Sequence, residues 1–199
     1  MRKIIPAVLE SNAKRFEKSL KIAELLSKKI QVDVADGKFV KNKTVGIDIL
    51  KKIKTKSKIE FHLMVKNPKK YIDAISKKAD LIAIHCEIPN FQKFISKKVK
   101  AVAINPGTSV KKISPVAKKI KKIIVLTVHP GEQGRRFIQS ALKKIKQIKG
   151  MNKNIIVQVD GGINDKTIKL AEKAGADEFV VGHYIIKSKT PELNYKKLR

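Results

Sequence analysis

Cysteine is nearly absent from this chain. Cys86 is the single thiol, so no intrachain disulfide can form, and a cytoplasmic protein is the expectation. Tryptophan is missing and aromatic residues make up 5% of the chain, which leaves few platforms for stacking nucleic-acid bases. No apolar run approaches the ~20 residues of a membrane helix. The segment from Met1 to Leu9 is too short for a signal-peptide core and ends in no small-residue cleavage site. Acidic residues are scarce, 17 against 46 Lys and Arg, for a net charge of +29. Of the basic residues only Arg2, Arg15, Arg135, Arg136 and Arg199 are arginines. The lysines are scattered as pairs along the whole chain instead of forming one block. That distribution reads as solvated helix faces and argues against a nucleic-acid footprint. Its field would still attract a small phosphorylated molecule.

What is present is alternation. Short β-rich apolar runs recur at Ile4–Leu9, Ile30–Val34, Ile59–Val65, Leu81–His85, Val99–Ile104, Ile123–Val128, Ile155–Val159 and Glu178–Gly182. Between them lie amphipathic stretches. Asn12–Lys28 carries Phe16, Leu20, Ala23 and Leu26 at helical spacing; Ile138–Ile148 and Asp165–Ala174 are similar, the last with Asn164 to cap it and Gly175 to end it. Eight strand–helix units in 199 residues predict an α/β fold of the TIM (β/α)8 barrel type, near its lower size limit, as one domain over 1–199. An open doubly wound sheet also alternates β and α. Here no GxGxxG follows the first strand, and chemically capable residues gather at strand C-termini, where a barrel builds its site.

Those strand ends carry, in order, Asp33, His62, His85, Asn105, His129 and Asp160. Asp33 precedes an Asp36-Gly37 turn that Asp36 is expected to cap. Asp160 precedes Gly161-Gly162. Two carboxylates at two strand mouths suggest paired acid/base chemistry, and the glycines suggest a phosphate held by backbone N–H groups. His85-Cys86-Glu87 has the composition of a metal cluster. Adjacent strand residues alternate faces, however, so His85 alone is expected to point inward.

These segments resemble the ribulose-phosphate 3-epimerase family. The resemblance rests on Ile5-Pro6-Ala7-Val8-Leu9, Val32-Asp33-Val34-Ala35-Asp36-Gly37, Phe61-His62-Leu63-Met64-Val65 and Asn105-Pro106-Gly107. It continues through Thr127-Val128-His129-Pro130-Gly131-Glu132-Gln133-Gly134, Val159-Asp160-Gly161-Gly162-Ile163-Asn164 and Val181-Gly182. It implies a ribulose-phosphate-binding barrel that interconverts ribulose 5-phosphate and xylulose 5-phosphate. Asp33 and Asp160 would exchange the C3 proton from opposite faces. It further implies a divalent metal (Zn, Fe, Mn or Co) on Asp33, His62 and Asp160. The fourth ligand, a family His, is here Gln31, so the metal is expected to be weakly held or absent. Phosphate binding would fall to Gly131, Glu132, Gln133, Gly134, Gly161, Gly162, Gly182 and His183. Gln133 replaces a family glycine and His183 a serine; Ala7, Ala35 and Leu126 are further departures on the same face. These departures keep open a paralogue that binds a phosphorylated sugar with altered substrate or lost activity. A basic nucleic-acid-binding barrel is the remote third reading. A homo-oligomer is expected by resemblance, with no membrane association.

Overall fold

The computed structural model describes residues 1–131 and 134–199, and its eight parallel strands close into a barrel in sequence order. The strands are β1 (Lys3–Val8), β2 (Lys29–Ala35), β3 (Lys58–Met64), β4 (Leu81–His85), β5 (Val99–Ile104), β6 (Lys122–Leu126), β7 (Ile156–Asp160) and β8 (Glu178–Val181). The helices are α1 (Ala13–Leu26), α2 (Ile47–Lys52), α3 (Pro68–Ile75), α4 (Lys143–Met151), α5 (Thr167–Lys173), α6 (His183–Ile186) and α7 (Pro191–Leu198). None of the described helices is long and apolar enough to cross a membrane.

The period of two sorts every strand into two faces. Ile30, Val32 and Val34 of β2 pack outward with Ile59, Phe61 and Leu63 of β3 into the large core under the helices, alongside Phe16, Leu20 and Ala23 of α1. The alternate residues fill the barrel. Ala83, Ala101, Ala103, Ile124 and Leu126 form one interior apolar cluster, and Ile5, Ala7 and Val180 another. The small Ala side chains leave space that long polar side chains occupy. At the N-terminal end of the strands Lys122 is ion-paired to Glu60 and lies 2.5 Å from Glu178. Lys29 reaches Glu60 at 3.1 Å and Glu178 at 3.5 Å. Gln158 donates to Glu60 at 3.0 Å and to Glu178 at 3.2 Å. Two lysines and two glutamates thus form a charge-neutral floor. Burial alone would raise the Glu60 carboxyl, but Lys122 and Lys29 outweigh it and hold its pKa below the ordinary value.

Three expectations shift in detail. The crossovers after β4 and β5 are 3₁₀ turns, Phe91–Phe94 and Val110–Val116, because the first segment is too short for an amphipathic helix and Pro115 sits inside the second. The stretch expected as one helix from Ile138 begins as a 3₁₀ turn, Gln139–Leu142, and becomes α4. The sixth strand ends at Leu126 and not Val128. Thr127 turns its N–H to the Asp160 carbonyl at 2.8 Å and its Oγ1 to the Gly161 carbonyl at 2.6 Å, tying β6 to the loop after β7.

Candidate active site

A 430 Å³ pocket opens at the C-terminal ends of the strands, and Asp33, His62 and Asp160 line it. Register explains their meeting. Asp33 pairs with His62 across β2 and β3, and Asp160 stands beside Leu126 and Val180 on β7. His62 Nδ1 is 3.1 Å from Asp33 Oδ1 and 3.6 Å from Asp160 Oδ2. One ligand atom from each of the three residues lies within 4.8 Å of the others, a spacing that one cation could span.

Gln31 occupies the space between the carboxylates. Its Nε2 donates to Asp33 Oδ1 at 2.8 Å and to Asp160 Oδ2 at 2.7 Å. Two carboxylates on one nitrogen require the NH₂ end to face them, so the amide's orientation follows from its partners. The Gln31 Oε1 is buried with no hydrogen-bond partner among the described residues. Leaving such an acceptor unsatisfied costs about 1–3 kcal/mol. The site therefore tolerates a local cost to keep the carboxylates clamped.

Behind His62 runs a buried polar chain. His62 Nε2 is 2.9 Å from His85 Nε2, and His85 Nδ1 is 3.0 Å from Glu87 Oε2. Glu87 also accepts from the Asn105 N–H at 3.0 Å. Burial would raise Glu87, but His85, Thr108 and the Asn105 N–H bring its carboxyl down to about 2. An ionised Glu87 accepts from His85 Nδ1–H. His85, pushed down to about 4 chiefly by burial, stays neutral, and its Nε2 accepts from His62 Nε2–H. His62 then faces Asp33 with Nδ1. Burial disfavours the cation, yet the hydrogen bond to Asp33 and the fields of Asp33 and Asp160 outweigh it, and the His62 pKa rises. An imidazolium at His62 satisfies every contact in the chain.

Asp160 is raised to about 7, first by burial and second by the Asp33 charge. The unfolded chain releases this proton near 3.8, whereas the folded state keeps it to about 7. Stability falls as pH rises through that window, because the unfolded state binds fewer protons there. In protein stripped of divalent metal, Asp160→Asn should therefore become progressively more stable than wild type between pH 4 and 7, with a constant gap above. Thermal midpoints across pH check this. A gap independent of pH would mean that Asp160 does not hold the proton.

The glycine loop after β7 lies beside the dyad. Gly161 has φ +114°, and a Cβ there would come 2.5 Å from Val128 Cγ2; Gly162 has φ +66°. Only glycine suits both positions. The Gly162 carbonyl accepts from Thr167 Oγ1 at 2.8 Å, which anchors the loop to the first residue of α5. Gly131, Gly134, Gly161, Gly162, Gly182 and His183 all line the pocket. Glu132 and Gln133 lie outside the described residues.

Other expectations divide. Asp36 caps its turn, accepting from the N–H groups of Lys38 at 2.8 Å and Phe39 at 2.9 Å. His85 points inward, while Cys86 packs in the outer core. His129 is exposed and does not line the pocket, since β6 has ended before it. Asn105 also stays off the pocket wall. Gln31, expected at the fourth ligand position, turns its NH₂ group to both carboxylates. Sequence reasoning missed Glu87 as the anchor of His85, although its i+2 spacing on one face was the available signal. It also left unassigned the pocket-lining Arg135 and Arg136.

A profile of the ribulose-phosphate 3 epimerase family matches residues 3–186. A ribulose-phosphate 3-epimerase of Bacillus subtilis is 35% identical, covering 92% of this chain and 91% of that protein. Another from Methanocaldococcus jannaschii is 34% identical, covering 100% and 90%. Among solved structures, KGPDC from Streptococcus mutans superposes with a TM-score of 0.69 at 14% identity, covering 100% of this chain and 95% of that one. Orotidine 5'-phosphate decarboxylase from Pyrococcus horikoshii gives 0.65 at 19% identity, covering 98% and 99%. These structural likenesses speak to the barrel fold.

Proposed function

Since this chain belongs to the ribulose-phosphate 3-epimerase family, we propose a specific way in which it performs sugar-phosphate epimerisation. The substrates are D-ribulose 5-phosphate and D-xylulose 5-phosphate, and Asp33 and Asp160 are the two proton-exchanging groups. One carboxylate takes the C3 proton. The C–H electron pair becomes the C2–C3 double bond of an enediolate, and charge moves to the C2 oxygen. The other carboxylic acid then returns a proton to the opposite face of C3. Electrons and protons balance, with one carboxyl exchanged for the other in ionised form.

The observation that carries this reading is the shared clamp on the two carboxylates. Gln31 Nε2 engages one oxygen of Asp33 and one of Asp160, leaving each a second oxygen for substrate. The raised Asp160 supports a singly protonated pair at neutral pH, one acid and one base. Forward and reverse reactions need the two tautomers of that same protonation state. Phosphate binding is assigned to Gly131, Gly134, Gly161, Gly162, Gly182 and His183, whose loops border the dyad. Glycine there lets backbone N–H groups approach the anion closely.

A divalent metal would be held by Asp33, His62 and Asp160, whose ligand atoms fit one ion; when bound, it supplies Lewis-acid stabilisation of charge on the substrate oxygens. His62 must give up its Nδ1 proton to bind it, so uptake would release protons. We assign residues 1–199 to one barrel domain acting in the cytoplasm, as a homo-oligomer to be checked by light scattering across a salt series.

The direct test is incubation with ribulose 5-phosphate in D₂O, with and without added Mn²⁺, Fe²⁺, Co²⁺ or Zn²⁺. Deuterium at C3 and formation of xylulose 5-phosphate are expected. Thermal stabilisation by the sugar phosphate without exchange would instead identify a binding protein that has lost turnover.

A further inference from the structure

Gln31 is wholly buried, yet its carboxamide is used at one end only. The NH₂ group bridges Asp33 and Asp160 at 2.8 and 2.7 Å, and Oε1 has no partner among the described residues. Turning the amide by half a revolution would bring the oxygen to the carboxylates. Three oxygen groups would then converge with His62 on one point, an arrangement that is repulsive when empty and favourable around a dication. The two orientations are nearly isosteric, so the turn exchanges the amide nitrogen and oxygen without a change of volume.

We propose that Gln31 is a two-way positioning residue: its amide nitrogen clamps the two carboxylates when no metal is bound, and its amide oxygen turns inward to become a metal ligand when one is. This rests on the metal-assisted reading of the site given above. It adds that the metal-free enzyme is preorganised. Asp33 and Asp160 are held together by N–H donors, which relieve the repulsion that would otherwise spread an empty pair. Metal entry then replaces the two N–H donors of the clamp by one cation. The metal is thereby made exchangeable, because its departure is met by a hydrogen-bonded alternative and not by bare carboxylates.

The amide can be watched directly. In ¹⁵N-labelled, chelator-stripped protein, the Gln31 side-chain NH₂ signal is assigned by its loss in Gln31→Met. Slow solvent exchange is expected before metal addition, and a changed NH₂ shift after one equivalent of Zn²⁺. Calorimetric Zn²⁺ titration of the same proteins supplies the second readout, with no substrate present. If the oxygen ligates, Gln31→Met loses a ligand and Zn²⁺ affinity drops about tenfold or more. Gln31→His, which restores a nitrogen ligand, should tighten it by a similar factor and serves as a control that the site remains folded. The proposal is overturned if Gln31→Met binds Zn²⁺ as tightly as wild type or more so, since the amide would then merely obstruct the ion. It is equally overturned if the NH₂ signal is unmoved by Zn²⁺, or if wild type binds no Zn²⁺. None of these outcomes bears on deuterium exchange at C3, which judges the epimerase reading separately.

Discussion

Asp160→Asn is expected to slow inversion at C3 by about 10²–10⁴-fold, the usual worth of one positioned acid or base. The fold should survive, because the amide is isosteric and can still meet Gln31 and His62. The informative result is what remains. With Asp33 as the sole carboxylate, one epimer still presents its C3–H to a base, and the proton can come back only from the same side. In D₂O that epimer should slowly acquire deuterium without inverting. Asp33→Asn should give the mirror image, with wash-in confined to the other epimer. Proton NMR of both sugars with both variants reads all four combinations. Wash-in to the same epimer in both variants would show that the carboxylates do not serve opposite faces of the substrate. Inversion within tenfold of wild type in either variant would remove that residue from the chemistry.

Lys122→Met should cost about 3–5 kcal/mol in denaturant unfolding, as expected when one partner of a buried ion pair is removed. The side chain of Lys122 is 2% exposed, and those of Glu60 and Glu178 are 3% and 6% exposed. Its loss leaves Lys29 alone to balance two buried carboxylates. Lys29 meets them at 3.1 and 3.5 Å with a side chain 31% exposed, so it cannot replace what was lost. Adding Glu178→Gln to the variant restores charge balance and should recover more than half of the loss, a non-additivity that a double-mutant cycle measures directly. The floor lies at the opposite end of the barrel from the dyad. Turnover per folded molecule should therefore stay near wild type. A loss below about 1 kcal/mol would mean that water reaches the floor and screens it.

The contrast between these two clusters shows how far the sequence reaches. Asp33 and Asp160 were legible because each ends an alternating strand and precedes a turn, and strand ends in a barrel share one face. His62 was legible for the same reason. Lys122, Glu60 and Glu178 were not. Each looks like a solvated residue at the start of a strand, in a chain rich in such lysines. His129 was misplaced for a related reason, since its position depends on where β6 stops, and Thr127 ends that strand by bonding to a different one.

By itself, the sequence determined that there are eight strands, which face of each is apolar, and that Asp33, His62 and Asp160 stand at strand mouths. All three follow from a period of two and from turn chemistry within a few residues, so they are local. Tertiary structure alone decided which inward side chains touch. Gln31 reaches Asp160 across 129 positions of sequence, His62 stacks its Nε2 against His85, and Lys122 sits between two glutamates from other strands. Those meetings depend on how the closed sheet staggers its strands, and on the space that Ala83, Ala101 and Ala103 leave inside it. No local pattern encodes that stagger, because it arises only when β8 pairs with β1 and the barrel closes.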